Sequence, residues 1–371
     1  MEQKKENPFI RWIVKSKILG ILFFVIIGLF AIYKMSQALI ANPSLFLQQV
    51  VNGLQLGFVY ALIALGYTMV YGIVRLINFA HGDIFMVGAF TSFYMISRYN
   101  LHLWFQATFP AMSPLPAQII GTVTVVLVTM TICALMAFTI ERIAYKPLRE
   151  APRISALITA IGISFFLEYF GALNFVFTAN YITYKRPFDV TSWYVGPSGF
   201  GALEAGVAIP KNSIIFSNIF LIIVMVSLLL LMVLQFIVKR TRIGKAMRAV
   251  AFDKPTARLM GINSDAIISI TFALGAALAG AAGVLYAIAF PQVFFIMGIT
   301  PGLKAFVAAV VGGIGSIPGA FIGALIMGQA ETLSAAYIST PMRDAIAFSL
   351  LIIVLLIRPK GILGEIASEK V

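Results

Sequence analysis

Asn78, His81 and Asp83 come nearest, by residue type and spacing, to a polar site in this 371-residue chain. Asn78 and His81 stand three apart, so a helix sets amide and imidazole on one face, where both can reach a single cavity. Asp83 lies just beyond. In a membrane span an ionisable side chain costs several kcal/mol and is a functional candidate for that reason, whereas near an interface His81 and Asp83 would be solvated or would brace a turn. Glu168 and Glu331 carry the same two readings. The two histidines, His81 and His102, form no His-x-x-x-His pair, and the single Cys133 supports neither a disulfide framework nor a cysteine metal site. No Gly-x-x-x-x-Gly-Lys-Ser/Thr cradle, paired carboxylates, or nucleophile with a positioned base is present in the sequence. The available chemistry is weak, reversible binding, and energy for uphill work has to come from another molecule.

Gly57, Tyr60, Gly66 and Thr68 lie along one apolar stretch. Such groups suit a weakly binding passage for an aliphatic solute, and helix packing explains them equally well. Two segments break the hydrocarbon pattern: residues 75–83, and residues 312–320 with Gly312, Gly313, Gly315 and Ser316. Irregular backbone at membrane depth must be satisfied by protein or a water-filled cavity, and paired interruptions point to a solute path. No clean internal repeat relates the two.

The elements that position these residues follow from composition. Sixty per cent of the residues are apolar and 11% charged, against about half and a quarter in soluble domains. The fold class is therefore all-α, a polytopic transmembrane helical bundle. Spanning stretches of about 20 residues are expected near 18–40, 46–74, 117–140, 153–178, 212–238 and 266–290, with less regular ones at 76–97, 303–337 and 343–357. This gives about 8–10 spans, some interrupted. Gly315, Gly319 and Gly323, the neighbouring Ala320, Ala324 and Gly328, and the small residues of 275–283 offer surfaces for close helix packing, mostly within the chain. The net charge of +13 gathers in short segments between apolar runs, which sets membrane orientation rather than nucleic-acid binding. By that rule the N-terminus, residues 142–153, the loop 239–265 and the C-terminal tail 365–371 face the cytoplasm. Residues 1–44 read as a cytoplasmic segment and a retained signal-anchor helix. The loops 98–116 and 179–211, with Trp104, Trp193 and Tyr194, fall outside, and the second offers a docking surface.

The loop 239–265 is the one long basic connection. Within it Asp253 can cap a helix, Pro255 suits the first turn, and Gly261 can take the left-handed conformation that ends it. A helix of about seven residues over Lys254, Pro255, Thr256, Ala257, Arg258, Leu259 and Met260 is too short to stand alone, so a soluble partner is its natural support. The other reading is a solvated positive connector.

Several ordered motifs resemble one family. The runs 52–57 (Asn-Gly-Leu-Gln-Leu-Gly), 60–72, 77–83 (Ile-Asn-Phe-Ala-His-Gly-Asp), 257–262 (Ala-Arg-Leu-Met-Gly-Ile), 304–320 and 359–364 (Pro-Lys-Gly-Ile-Leu-Gly) are similar to the high-affinity branched-chain amino acid permeases of the LivH type. The resemblance covers about residues 45–364. It implies the transmembrane subunit of an ATP-binding cassette importer in a bacterial inner membrane. Such a subunit pairs with a second, LivM-like permease and two separate ATPases, which hold ATP and Mg, and receives substrate from a periplasmic binding protein. The chain itself then binds no cofactor and is not an enzyme, its environment is membrane lipid, and the short helix at 254–260 becomes the coupling helix. Urea or short-amide importers of the same family, and ion-coupled secondary transporters from another class, are the alternatives. Two departures stand out: the helix within 1–44 is additional to the shorter family form, and Thr256-Ala257 replaces a frequent Glu-Ala or Ala-Ala.

Overall fold

The computed structural model describes residues 26, 28–76, 78–149, 151–197, 199–203 and 210–364. Most of the expected N-terminal segment and anchor, and the tail 365–371, lie outside the described residues. The chain is mostly helical, and its helices in order are α1 (Gly28–Ala41), α2 (Pro43–Val74), α3 (His81–Ser97), α4 (Trp104–Thr108), α5 (Pro114–Ile140), α6 (Arg153–Gly171) and α7 (Asn218–Arg240). There follow α8 (Arg242–Phe252), α9 (Lys254–Leu259), α10 (Ser264–Ala289), α11 (Ile299–Gly312), α12 (Ile317–Tyr337) and α13 (Arg343–Ile357). Five of these, α2, α5, α6, α7 and α10, are long and apolar enough to cross a membrane. The irregular stretches resolve into α3, the pair α11 and α12 broken at 313–316, and α13.

Two of the five are central and three peripheral. In α2 and α10, 78% of the most apolar window is buried within the chain, against 22%, 28% and 17% in α5, α6 and α7. An all-round apolar helix such as α2 has no polar stripe to turn outward, and it occupies the centre, flanked by α10 and α12. The outer helices bury only a seam. In α5 that seam is Ala117, Gly121, Val125, Thr129, Cys133 and Ala137, one residue in four, while Leu127 and Leu135 face outward. Exposed apolar flanks of this kind belong in hydrocarbon. Between helices in lipid the hydrophobic effect is absent, so contact depends on close backbone approach and small residues. Gly283 of α10 lies against Phe85, Gly88 and Ala89 of α3, and Gly280 lies against Cys133 and Thr129 of α5. Gly328 of α12 meets Gly53 and Gly57 of α2, and Gly323 meets Ala308 and Gly312. The small-residue faces are thus occupied inside the chain.

Among the described residues strands are confined to one end. β1 (Ile182–Thr183) pairs antiparallel with β5 (Gln292–Val293), and β2 (Ser192–Gly196) lies antiparallel between β3 (Gly199–Leu203) and β4 (Ile214–Ser217). The small sheet adds to the helical class strands β2 and β3 within the expected 179–211 loop, with Trp193 stacked on Phe216 at 5.9 Å. Gln48 ties α2 to this end through Nε2 to Ile215 O at 2.9 Å, while α8 and α9 occupy the opposite, basic end.

Gly283→Leu is expected to lower the melting temperature of the detergent-purified chain, overpacking of this kind costing about 1–3 kcal/mol or more. Gly162→Leu on α6, where none of the described residues lies within 4 Å of an added Cβ, should not lower it.

Candidate functional site

The basic end is built from two helices rather than one. Thr241 Oγ1 accepts from Gly244 N at 3.1 Å and starts α8, whose Gly244, Met247 and Val250 turn inward. Their three-residue spacing was the available signal for α8. Asp253 then starts α9 as its capping chemistry requires: Oδ1 accepts from Thr256 N at 3.1 Å and Oδ2 from Thr256 Oγ1 at 2.8 Å. Pro255 falls in the first turn, where the absent N–H costs nothing. Gly261, at φ +81°, closes the helix, with Ile262 N donating to Ala257 O and Gly261 N to Arg258 O, each at 3.0 Å. Ala257 is the residue α9 buries, while Leu259 is 88% and Met260 78% exposed, near the exposed Phe252 and Arg258. The result is a rigid apolar knob set among cations.

An ionic cluster anchors that knob. Arg258 Nη2 lies 3.3 Å from Asp265 Oδ1 at the start of α10, and Arg149 Nη1 reaches the same oxygen at 2.5 Å. Lys146 Nζ is 3.5 Å from Asp265 Oδ2. Arg149 Nη2 also pairs with Glu141, which is fully buried and accepts from Ser269 Oγ.

The interrupted segment lies nearby. α2 ends at Arg75, which adopts φ 57° and donates its N–H to Tyr71 O. Asn78, His81 and Asp83 are all buried. The structure thus favours the interior reading over solvated groups. Asn78 Oδ1 accepts from Tyr145 OH at 2.7 Å. His81 packs its ring against Tyr67, centroids 4.7 Å apart, beside the space that Gly66 leaves open, and its Nε2 has no hydrogen-bond partner among the described residues. Asp83 Oδ2 accepts from Ser164 Oγ at 2.5 Å and faces a cavity of about 210 Å³ with Tyr67, Gly82, Ser164, Glu168 and Gly302. Gly82 meets Gly298, so α3 and α11 begin against each other. His102 stands apart in the turn before α4, where partial burial holds its imidazole below the usual range and favours the neutral form.

Tyr60 belongs to a second buried cluster. Its hydroxyl donates to Glu331 Oε2 at 2.9 Å, and Lys304 Nζ donates to Glu331 Oε1 at 2.7 Å. Lys304, 1% exposed, also lies 2.7 Å from Asp344 Oδ1, and Arg343 Nε is 3.4 Å from Glu331 Oε1. Two cations and two anions thus join α11, α12 and α13, and the Tyr60 hydroxyl adds α2. Sequence reasoning missed Lys304 as a site residue, although a lone lysine in an apolar run was signal enough. The remaining positions serve helix contact and turns. Gly57 packs on Ala324 and Leu325, Thr68 is buried with its hydroxyl unpartnered among the described residues, and Gly312 packs on Gly319. Gly313 and Gly315 take φ 111° and 97°, and Ser316 Oγ accepts from Gly319 N to start α12. Gly315 lies against Gly72, so the second interruption abuts the end of α2.

A central apolar helix, outer helices with exposed apolar flanks and ion pairs held in the interior define a multi-pass membrane protein. The family model described as branched-chain amino acid transport system / permease component matches residues 49–355. Accordingly, the chain belongs to that permease family. It is 41% identical over 329 residues to the high-affinity branched-chain amino acid transport system permease protein LivH of Salmonella typhimurium, covering 88% of this chain and 98% of the relative. The same figures hold for LivH of Escherichia coli K12. BraD of Pseudomonas aeruginosa, named for the same transport system, is 40% identical over 326 residues, with 88% and 98% covered. No solved structure matches.

Lys304→Met is expected to destabilise the chain by about 3 kcal/mol, because it takes from the buried Glu331 carboxylate its nearest cation and leaves it the half-exposed Arg343 at 3.4 Å. The double variant Lys304→Met/Glu331→Gln should recover part of that loss in thermal melts.

Proposed function

We propose that the chain is the inner-membrane permease subunit of an ATP-binding cassette importer for leucine, isoleucine and valine. The observation that carries this reading is α9, a helix capped at both ends that presents Leu259 and Met260 outward among cations. Large exposed apolar side chains at the soluble end of a membrane protein mark a docking point. Family membership supplies the substrate class, since the relatives are named for branched-chain amino acid transport. Lys and Arg at the α8 and α9 end, at 142–153 and near 358–360 support a cytoplasmic side for that end and for both termini. The sheet end then faces the periplasm and meets a substrate-binding protein.

In this reading two ATPase subunits, which hold ATP and Mg, seat α9, and a second related permease completes the pathway. ATP closes the ATPases, α9 carries the movement, and the bundle alternates between outward and inward openings. The passage runs past Tyr60, Thr68, Asn78, His81 and Asp83, with Gly57 and residues 312–316 giving the flanking helices their close approach. Apolar and small surroundings suit an aliphatic side chain that must be released as readily as it is bound.

The test is uptake of labelled leucine into vesicles holding the chain with its ATPase, second permease and binding protein. Uptake should require ATP and fall at least tenfold with Leu259→Asp/Met260→Asp, while insertion of the chain is unchanged. Uptake by this chain alone that follows an ion gradient would overturn the reading and shift attention to Asp83 and Glu168 as ion-coupling groups. Transport of urea or short amides in place of leucine would keep the importer and change its substrate.

A further inference from the structure

The interior groups at the basic end form one continuous chain of contacts. It starts on α9, where Arg258 Nη2 is 3.3 Å from Asp265 Oδ1. It passes through Arg149, which holds Asp265 with one guanidinium nitrogen and Glu141 with another. Glu141 opens a five-residue π-helical turn, Glu141–Tyr145, that extends α5. At the far end of the same turn Tyr145 OH donates to Asn78 Oδ1 at 2.7 Å, in the interrupted segment that leads to His81 and Asp83.

The turn's geometry accounts for its use here. Widening the helix by one residue aims both Glu141 and Tyr145 inward, and both are buried. Pi-helical turns recur at functional positions for this kind of re-aiming. The strength of the contacts also matters. Glu141 is fully buried, so its charge depends on Arg149 and Ser269, and Arg149 is itself only 11% exposed. A buried charge that loses its partner costs several kcal/mol, so these groups are constrained to move together rather than part. Arg258 and Lys146, each about half exposed, and Asp265 lie at the surface end.

We propose that the π-helical turn Glu141–Tyr145 couples α9 to residues 75–83, with Arg149 and Tyr145 as its positioning residues. On the proposed importer reading, this turn delivers the docking movement to the polar segment beside the pathway. The contact itself stands or falls without that reading, because it can be tested in the isolated chain.

The experiment is hydrogen exchange of residues 75–83 in the purified full-length chain, without partners or substrate. Arg258→Ala, a change on α9, is expected to raise exchange at 75–83 at least threefold, and Tyr145→Phe to raise it by a similar factor. The two together should do no more than Tyr145→Phe alone, since residues acting through one link are non-additive. Exchange at 75–83 that ignores Arg258→Ala, or effects that simply multiply, would overturn the proposal. So would a rise spread over the whole chain or a fall in melting temperature for both variants, which would make these groups ordinary braces.

Discussion

Charge within an apolar body has to be neutralised inside it, and this constraint organises the structure. An unpaired cation at that depth would cost more than any single packing contact returns. Lys304 therefore draws Glu331 and Asp344 around itself, and with them come α12 and α13; Tyr60 brings in α2. At the basic end Arg149 does the same for α5 and α10 through Glu141 and Asp265. These clusters need not stabilise the fold more than apolar residues of equal volume would. What they fix is which helices lie together and at what height, since shifting any helix by a turn would separate charges that cannot be separated cheaply.

Close backbone approach makes such clusters possible. Gly82 against Gly298, Gly88 against Gly280 and Gly328 against Gly57 bring helix axes near enough for side chains on four helices to meet. The outer faces of α5, α6 and α7 need no such fit. Their partner is hydrocarbon, which accepts Leu, Ile and Phe in any arrangement, so their specificity resides wholly in the inner seam.

How much of this the sequence showed depended on how local the cause was. The helix at α9 was legible because Asp253, Pro255 and Gly261 act within a few residues of one another, and the structure places each in that role. Spans were legible where apolar runs were long, and the breaks at 75–83 and 312–320 were visible as polar or glycine-rich interruptions. The burial of His81 and Asp83 was not, because it depends on α6 and α11 closing over a segment that would otherwise sit at an interface. Tyr60 and Glu331 lie 271 positions apart, and no spacing rule links them. The small sheet escaped because its strands are two to five residues long, with registers set by tertiary pairing. α8 carried an inward spacing that the basic character of the loop concealed.

α9 is the proposed place where an energy-supplying subunit engages the bundle, whose sequence carries no Gly-x-x-x-x-Gly-Lys-Ser/Thr run. The most direct measurement is photo-crosslinking from a reactive amino acid placed at position 259, with position 200 at the opposite end as the comparison, in membranes holding the assembled transporter. The account predicts that position 259 captures the ATPase and position 200 does not. Capture of the ATPase from position 200, or none from 259 in a complex that still transports, would contradict it.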